Sequence, residues 1–302
     1  MKDLRYYLEK AMNEKFAIGA FNFSNLETLQ AIAEACKENN SPAFISVSES
    51  ALNYMGDYLL PLAKKAKELH CGLFLHLDHG RSFEICKKAI DLGFDSVMID
   101  GSSLDFETNI SLTQKVCDYA HKKGVLVEGE LGQIKGIEEQ TQAENDTYTN
   151  PIQAKIFAEK TGVDMLAISI GTSHGAYKNS GNNLKFDILT EIESLLPKLP
   201  LVLHGASNVS QQQIDEFISV GGALEKAGGI NQDQIVNAVK NHNIIKVNTD
   251  TDIRLSLTCG VREILQDSSQ FDPRKYLAKG REKVQEIVGE KIRNLLFSND
   301  KI

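Results

Sequence analysis

The chain has 302 residues, a length at which an α/β barrel can fold as one domain. Its formal net charge is -8 and it holds no Lys/Arg run, which argues against a nucleic-acid surface. Hydrophobic residues make up 42% and charged residues 25%, as in soluble globular proteins, and no apolar run approaches the ~20 residues that a membrane helix needs.

Met1 to Lys15 is charged and amphipathic and lacks the apolar core of a secretory signal. The first apolar run, Ala17–Asn22, precedes Leu26, Leu29, Ile32 and Ala33 at helical spacing, with Ser24 or Asn25 placed to cap that helix. Pro42–Ser48 is followed by Leu59, Leu62, Ala63 and Ala66, and Gly72–Asp78 by Phe83, Cys86, Ile90 and Phe94. Ser96–Asp100 leads to Ile110, Val116 and Tyr119, Val125–Leu131 to the segment Ile152 to Ala158, and Met165–Gly171 to Ile188 to Leu196. Leu201–Gly205 is followed by Ile214 to Val220 and Ile235 to Val239, and Ile244–Thr249 is the eighth run. Beyond it, Asp252–Gln266 and Arg274–Leu296 read as additional helices.

Strand and helix thus alternate eight times, which means a parallel sheet with crossover helices. The expectation is a (β/α)8 TIM barrel with extra C-terminal helices, one domain over residues 1–302. An open doubly wound sheet is the competing architecture, weakened because no G-x-G-x-x-G follows the first strand. Two long polar connections, Gly132 to Asn150 and Gly175 to Lys185, read as functional loops or disordered segments. The five cysteines are widely spaced, odd in number and form no C-x-x-C pair, so the reading is reduced thiols in a cytoplasmic protein.

In a barrel the C-terminal ends of the strands form the active-site face. Polar residues stand there on every strand: Asn22, Ser48, Asp78-His79, Asp100, Glu128 with Glu130, Thr172-Ser173-His174, His204 to Ser207, and Asn248 to Thr251. His79, His174 and His204 each adjoin a glycine just past a strand, and three neutral imidazoles are a known catalytic zinc set. His70, His76, His121 and His242 read as structural. The turns after strands seven and eight, with Gly205, Ser207, Asn248, Asp250 and Thr251, suit a phosphate, to which Gly175 and Lys178 would add an N–H and a charge. A metal beside a phosphate cradle on a barrel suggests chemistry on a sugar phosphate.

Seven ordered blocks then carry a resemblance from about Phe16 onward: HLDHG (76–80), SVMIDGS (96–102), VEGELG (127–132), IGTSHGAYK (170–178), LVLHGAS (201–207), KVNTDTDIRL (246–255) and FDPRKYL (271–277). They resemble the class II, zinc-dependent fructose-1,6-bisphosphate aldolases. The resemblance implies cleavage of fructose 1,6-bisphosphate to dihydroxyacetone phosphate and glyceraldehyde 3-phosphate, with tagatose or sedoheptulose bisphosphate as alternative substrates. It implies Zn2+ on His79, His174 and His204, with Asp100 and Glu130 as carboxylates near the metal. Asp78 matches the acid/base at the aldol hydroxyl, and Glu138 the mobile acid that exchanges the carbanion proton. Gly175, Lys178, Gly205, Ser207, Asn248, Asp250 and Thr251 match contacts to the dihydroxyacetone-phosphate half. Asn22, Ser48 and Arg274 match contacts to the other half, with Arg254 reaching in from a neighbouring subunit. A monovalent cation (Na+ or K+) and a homodimer or homotetramer are also implied. Asn208 departs from the glycine of many members, and Gly101-Ser102-Ser103 from a frequent Ala-Ser-His.

Two other classes compete. Lys246, in the eighth strand, offers the amine of a Schiff-base aldolase, although three histidines would then be superfluous. A non-catalytic metal- and phosphate-binding subunit is the other, against which Asp78 and Glu138 speak.

Overall fold

A computed structural model describes residues 2–133, 135–138, 141–143, 147–174, 183–207, 209–224 and 230–302, with 135–138, 141–143 and 173–174 described by backbone alone. The elements run α1 (Leu4–Glu14), β1 (Ile18–Asn22), α2 (Leu26–Glu38), β2 (Ala43–Ser48), α3 (Glu49–Met55), α4 (Leu59–Leu69), β3 (Leu73–Gly80), α5 (Phe83–Leu92), β4 (Ser96–Ile99), α6 (Phe106–Ala120) and β5 (Leu126–Leu131). They continue with β6 (Lys135–Glu138), β7 (Thr141–Ala143), α7 (Pro151–Thr161), β8 (Met165–Ile168), β9 (Ser173–His174), α8 (Phe186–Leu195), β10 (Leu201–Leu203), α9 (Gln211–Ser219), α10 (Gln232–Asn241), β11 (Ile244–Thr249), α11 (Thr251–Leu265) and α12 (Pro273–Lys291). Eight strands close in the order β1-β11-β10-β8-β5-β4-β3-β2, every neighbouring pair parallel. This is the expected (β/α)8 barrel, and all eight apolar runs became its strands.

The local signals that begin the helices are short polar side chains. Asn25, not Ser24, caps α2, and it forms a reciprocal capping box with Thr28. Ser82, Asp105 and Asn150 cap α5, α6 and α7 by accepting from the third residue on.

Two apolar layers follow. One lies between strands and helices, and the other fills the barrel. The inner layer holds Phe44, Phe74, Met98, Leu126, Met165 and Val202, and α1 adds Leu4, Tyr7, Leu8 and Ala11 to it. α1 thereby closes the N-terminal mouth of the barrel, with the Tyr7 ring 5.6 Å from that of Phe74. The amphipathic start of the chain is therefore a plug, a role its periodicity alone did not reveal.

Two irregularities in strand pairing matter for the site. Between Leu77–Val97 and Gly80–Ile99, β3 advances three residues while β4 advances two, so one residue is extra. His79 absorbs it at φ +49°, in the left-handed region that favours glycine. Gly80, which follows, serves close approach. A Cβ there would lie 2.8 Å from Met98 O and 2.8 Å from Cys86 Sγ. The second irregularity lies between β10 and β11, where Leu201 pairs with Ile244 and Val202 with Lys246, passing over Ile245.

The long connection after β5 is not wholly irregular. β6 and β7 form an antiparallel pair, and β6 runs parallel to β9, with Lys135 beside Ser173 and Gly136 beside His174. The backbone of the segment carrying Glu138 is thus tied to that carrying His174. Met1, Ile134, Glu139, Gln140, residues 144–146 and 175–182, Asn208 and residues 225–229 lie outside the described residues, and with them Gly175 and Lys178. No helix among the described residues is long and apolar enough to cross a membrane.

α6 is tied to the active-site end of β5 by one buried amide. Asn109 Nδ2 donates to Glu130 O at 2.9 Å, and Thr113 Oγ1 donates to Asn109 Oδ1 at 3.1 Å. Gly101 packs on the same amide, since a Cβ there would lie 2.3 Å from Asn109 Oδ1. Asn109→Ala leaves the Glu130 carbonyl without its donor and is expected to cost about 1–3 kcal/mol. A lowered urea midpoint at unchanged slope checks this, and an unchanged midpoint would refute it.

Candidate active site

The extra residue in β3 decides where two neighbouring side chains point. In a regular strand Asp78 and His79 would face opposite sides. With the bulge both reach the mouth of the barrel, and His79 Nε2 comes within 3.0 Å of His204 Nδ1. The two rings meet edge to face with centroids 4.7 Å apart and planes at 76°. Asp78, His79 and His204 each offer a donor atom, all within 4.8 Å of one another, and so do His79, Asp100 and Glu130.

The outward nitrogens of the two rings are held by carboxylates. His79 Nδ1 is 3.0 Å from Asp100 Oδ2, with Glu130 Oε2 at 3.9 Å, and His204 Nε2 is 2.7 Å from Glu128 Oε1. A carboxylate accepts only, so each ring carries its proton on the outward nitrogen. The inward nitrogens then both present lone pairs. Asn248 Nδ2, a donor, lies 3.3 Å from His204 Nδ1 and agrees with this tautomer. Two lone pairs at 3.0 Å repel in the absence of a shared cation, so the donor set fits a metal ion. Burial lowers the pKa of His204 and keeps its ring neutral, as a ligand must be.

The carboxylates behind the rings are kept ionised. Burial pushes Asp100 up, but hydrogen bonds from His79, from Ser102 N at 3.1 Å and from Ser102 Oγ at 2.7 Å outweigh it and hold the group well below the usual carboxylate range. Burial also pushes Glu128 up, and Lys246 and His204 more than offset it. Burial lowers His76 to about 3, so it is neutral, and its Nδ1 lies 2.8 Å from Ser96 Oγ.

Asp78 is gripped on both oxygens. Asn22 Nδ2 donates to Oδ2 at 2.8 Å and Asn248 Nδ2 to Oδ1 at 2.8 Å. The carbonyl oxygens of both amides are buried with no hydrogen-bond partner among the described residues. They remain available to a ligand that brings hydroxyl donors.

On the neighbouring strands, Ser207 Oγ accepts from Asp250 N at 3.4 Å, joining the turns after β10 and β11. Asp250 stands at the N-terminus of α11, Thr251 begins it, and Gly205 adopts φ +61° in the turn beside it. The N-terminus of a 15-residue helix beside this turn suits an anion. Arg254 binds Asp250 through Nε and Nη2, each at 2.8 Å. Ser48 caps α3, and Ser50 Oγ lies 3.3 Å from its hydroxyl.

The structure thus brings together Asn22, Asp78, His79, Asp100, Glu130, His204 and Asn248. Arg274 stands apart, 88% exposed at the start of α12 with its guanidinium on Asp272. The backbones of Glu138 and His174 lie in β6 and β9, but their side chains are outside the described residues. Sequence reasoning gave no role to Glu128 and read His76 as structural. Two acids spaced by two in an otherwise apolar strand, Glu128 and Glu130, were the available signal that both face inward. Lys246 is fully buried with Nζ 2.7 Å from Glu128 Oε2, so its amine is not presented to a ketone at the mouth.

Residues 2–301 match the model of the family described as fructose-bisphosphate aldolase class-II. A fructose-bisphosphate aldolase of Thermus caldophilus is 47% identical over 286 residues, covering 93% of this chain and 93% of that one. A fructose-bisphosphate aldolase of Treponema pallidum is 43% identical, covering 96% and 94%. Among solved structures, the YdjI aldolase of Escherichia coli K12 superposes with a TM-score of 0.80 at 31% identity, covering 100% of this chain and 99% of that one. Taken with the barrel and the metal-fitting strand ends, these matches show that the chain belongs to the class II fructose-bisphosphate aldolase family, whose members are metal-dependent.

Proposed function

We propose that this chain is a zinc-dependent lyase that reversibly cleaves fructose 1,6-bisphosphate to dihydroxyacetone phosphate and glyceraldehyde 3-phosphate. The observation that carries the reading is the pair of inward lone pairs on His79 and His204, 3.0 Å apart, beside an Asp78 gripped on both oxygens. His79, His174 and His204 are the proposed zinc ligands, with Asp100 and Glu130 close to the site. Zinc held there would polarise the ketose carbonyl and take up charge as the carbon–carbon bond breaks.

The chain's own groups then move protons. Asp78 takes the proton from the hydroxyl on the carbon that becomes the aldehyde. The electrons of the broken bond pass to the carbon beside the carbonyl, and Glu138 delivers a proton there. The carbonyl oxygens of Asn22 and Asn248, without a partner among the described residues, are the proposed acceptors for sugar hydroxyls. Gly175, Lys178, Gly205, Ser207, Asn248, Asp250 and Thr251 are proposed to hold the dihydroxyacetone-phosphate half, with Na+ or K+ beside its phosphate. Asn22, Ser48 and Arg274 would hold the other half, with Arg254 from a second copy in a homodimer or homotetramer. Substrate binding at both phosphates supplies the orientation. The cysteines Cys36, Cys71, Cys86, Cys117 and Cys259 are free thiols, which supports a reducing, cytoplasmic setting.

EDTA is expected to abolish turnover and zinc to restore it, with kcat/KM higher for fructose 1,6-bisphosphate than for the tagatose or sedoheptulose bisphosphates. EDTA-insensitive turnover, with borohydride trapping of substrate on Lys246, would replace this reading with the Schiff base. Arg274→Ala should raise KM for the bisphosphate while affecting a monophosphate ketose much less, because a guanidinium grips a terminal phosphate in a fork. Equal losses on both substrates would remove that role. Glu138→Ala should keep its zinc and still bind dihydroxyacetone phosphate, yet lose about 10²–10⁴ in proton exchange at the reactive carbon. Deuterium wash-in followed by NMR reads this, and wild-type exchange in Glu138→Ala would take the role from that residue.

A further inference from the structure

Beneath the proposed ligands lies a charged layer that the proposed reaction does not touch. Glu128, Lys246 and His76 are fully buried inside the barrel. Lys246 Nζ lies 2.7 Å from Glu128 Oε2, and the other oxygen, Oε1, lies 2.7 Å from His204 Nε2. His76 Nε2 stands 3.7 Å from Oε2. The lysine is aimed by the strand irregularity opposite β10. Ile244 and Val247 pack outside the barrel and Ile245 inside, and because pairing passes over Ile245, Lys246 also turns inward. The neighbouring interior layer is built of Phe44, Phe74, Met98, Leu126, Met165 and Val202, so an apolar residue at 246 would suit packing. Replacing a buried ion pair by apolar side chains is often neutral or stabilising, so packing alone does not call for this pair.

We propose that Lys246 is a positioning residue for His204. Glu128 has three side-chain torsions, and one hydrogen bond to an imidazole leaves it free to turn about that contact. Lys246 anchors Oε2 and so fixes the direction of Oε1. Oε1 then keeps the His204 proton on Nε2 and leaves the Nδ1 lone pair aimed at His79 Nε2. The chain of contacts runs from cation to carboxylate to imidazole to the metal position. It rests on the metal reading of the site and not on which ketose is cleaved.

The test is Lys246→Met, which keeps an unbranched side chain one atom shorter and removes its charge. Zinc affinity, by competition with a chromophoric chelator, is expected to fall about 10–100-fold, as when a partner behind a ligand is lost. Two-bond 1H–15N correlations on the metal-free protein are expected to show His204 as the Nε2–H tautomer in the wild type and as a mixture in the variant. At saturating zinc, kcat should fall with little change in KM. Lys246→Met combined with Glu128→Gln removes both charges, so that no unpaired ion is buried; measured against Glu128→Gln alone it should lose no further affinity, because Lys246 acts only through the Glu128 carboxylate. That variant carries the test if the single one does not fold. Wild-type zinc affinity and an unmixed tautomer in the folded variants, with only a lowered Tm, would overturn the proposal and leave Lys246 a stability element. A wild-type protein that fails to turn over any ketose bisphosphate would overturn the aldolase reading instead, while affinity and tautomer still decide this one.

Discussion

Two imidazole nitrogens with lone pairs cannot rest 3.0 Å apart unless something holds them there. The site is organised around that constraint. His79 is held from behind by Asp100, whose own turn is closed by Ser102. His204 is held from behind by Glu128, which stands on Lys246. Each ring is thereby locked in tautomer and orientation before any ligand arrives, and the mutual repulsion of the inward nitrogens becomes affinity for a cation.

The constraint extends into the backbone. A left-handed φ at a histidine costs about 1–3 kcal/mol and persists only where surroundings over-determine it. At His79 the cost secures a specific geometry, because it lets consecutive residues of one strand serve one site. Asp78 stays on the interior face with Phe74 and His76, and His79 swings to meet His204. Gly80 then restores the pairing with β4, in a space too tight for any Cβ. The irregularity at Ile245 does the equivalent for Lys246 three strands away around the barrel.

The site also sits on a gradient of polarity along the barrel axis. The N-terminal mouth is sealed by α1 and an aromatic and aliphatic layer. The next layer holds His76, Glu128, Lys246 and Ser96, all buried, and above it come Asp78, Asn22 and Asn248. Buried charges are tolerated there because each one has a partner within hydrogen-bond reach. The second, small sheet adds a different device. By pairing β6 with β9 it anchors the connection after β5 to the strand end after β8, so the backbones that carry Glu138 and His174 are adjacent.

How much of this was legible follows from the range of each signal. Alternation of apolar runs with helical spacing is local, and it sufficed for eight strands, the closed barrel and the placement of Asp78, His79, Asp100, His204 and Asn248 at one end. Caps such as Asn25 and Asp105 were equally local. Four features were not local. The plug formed by α1 depends on which mouth lacks cover. The pairing of β6 with β9 joins segments separated by a whole helix. The inward turn of both Asp78 and His79, and of Lys246, depends on register against a neighbouring strand, which a period of two within one strand cannot express. The sequence by itself determined which residues could ligate, donate and turn. Only the tertiary structure decided which of them face one another, because register and bulges are set by pairing between strands distant in the chain.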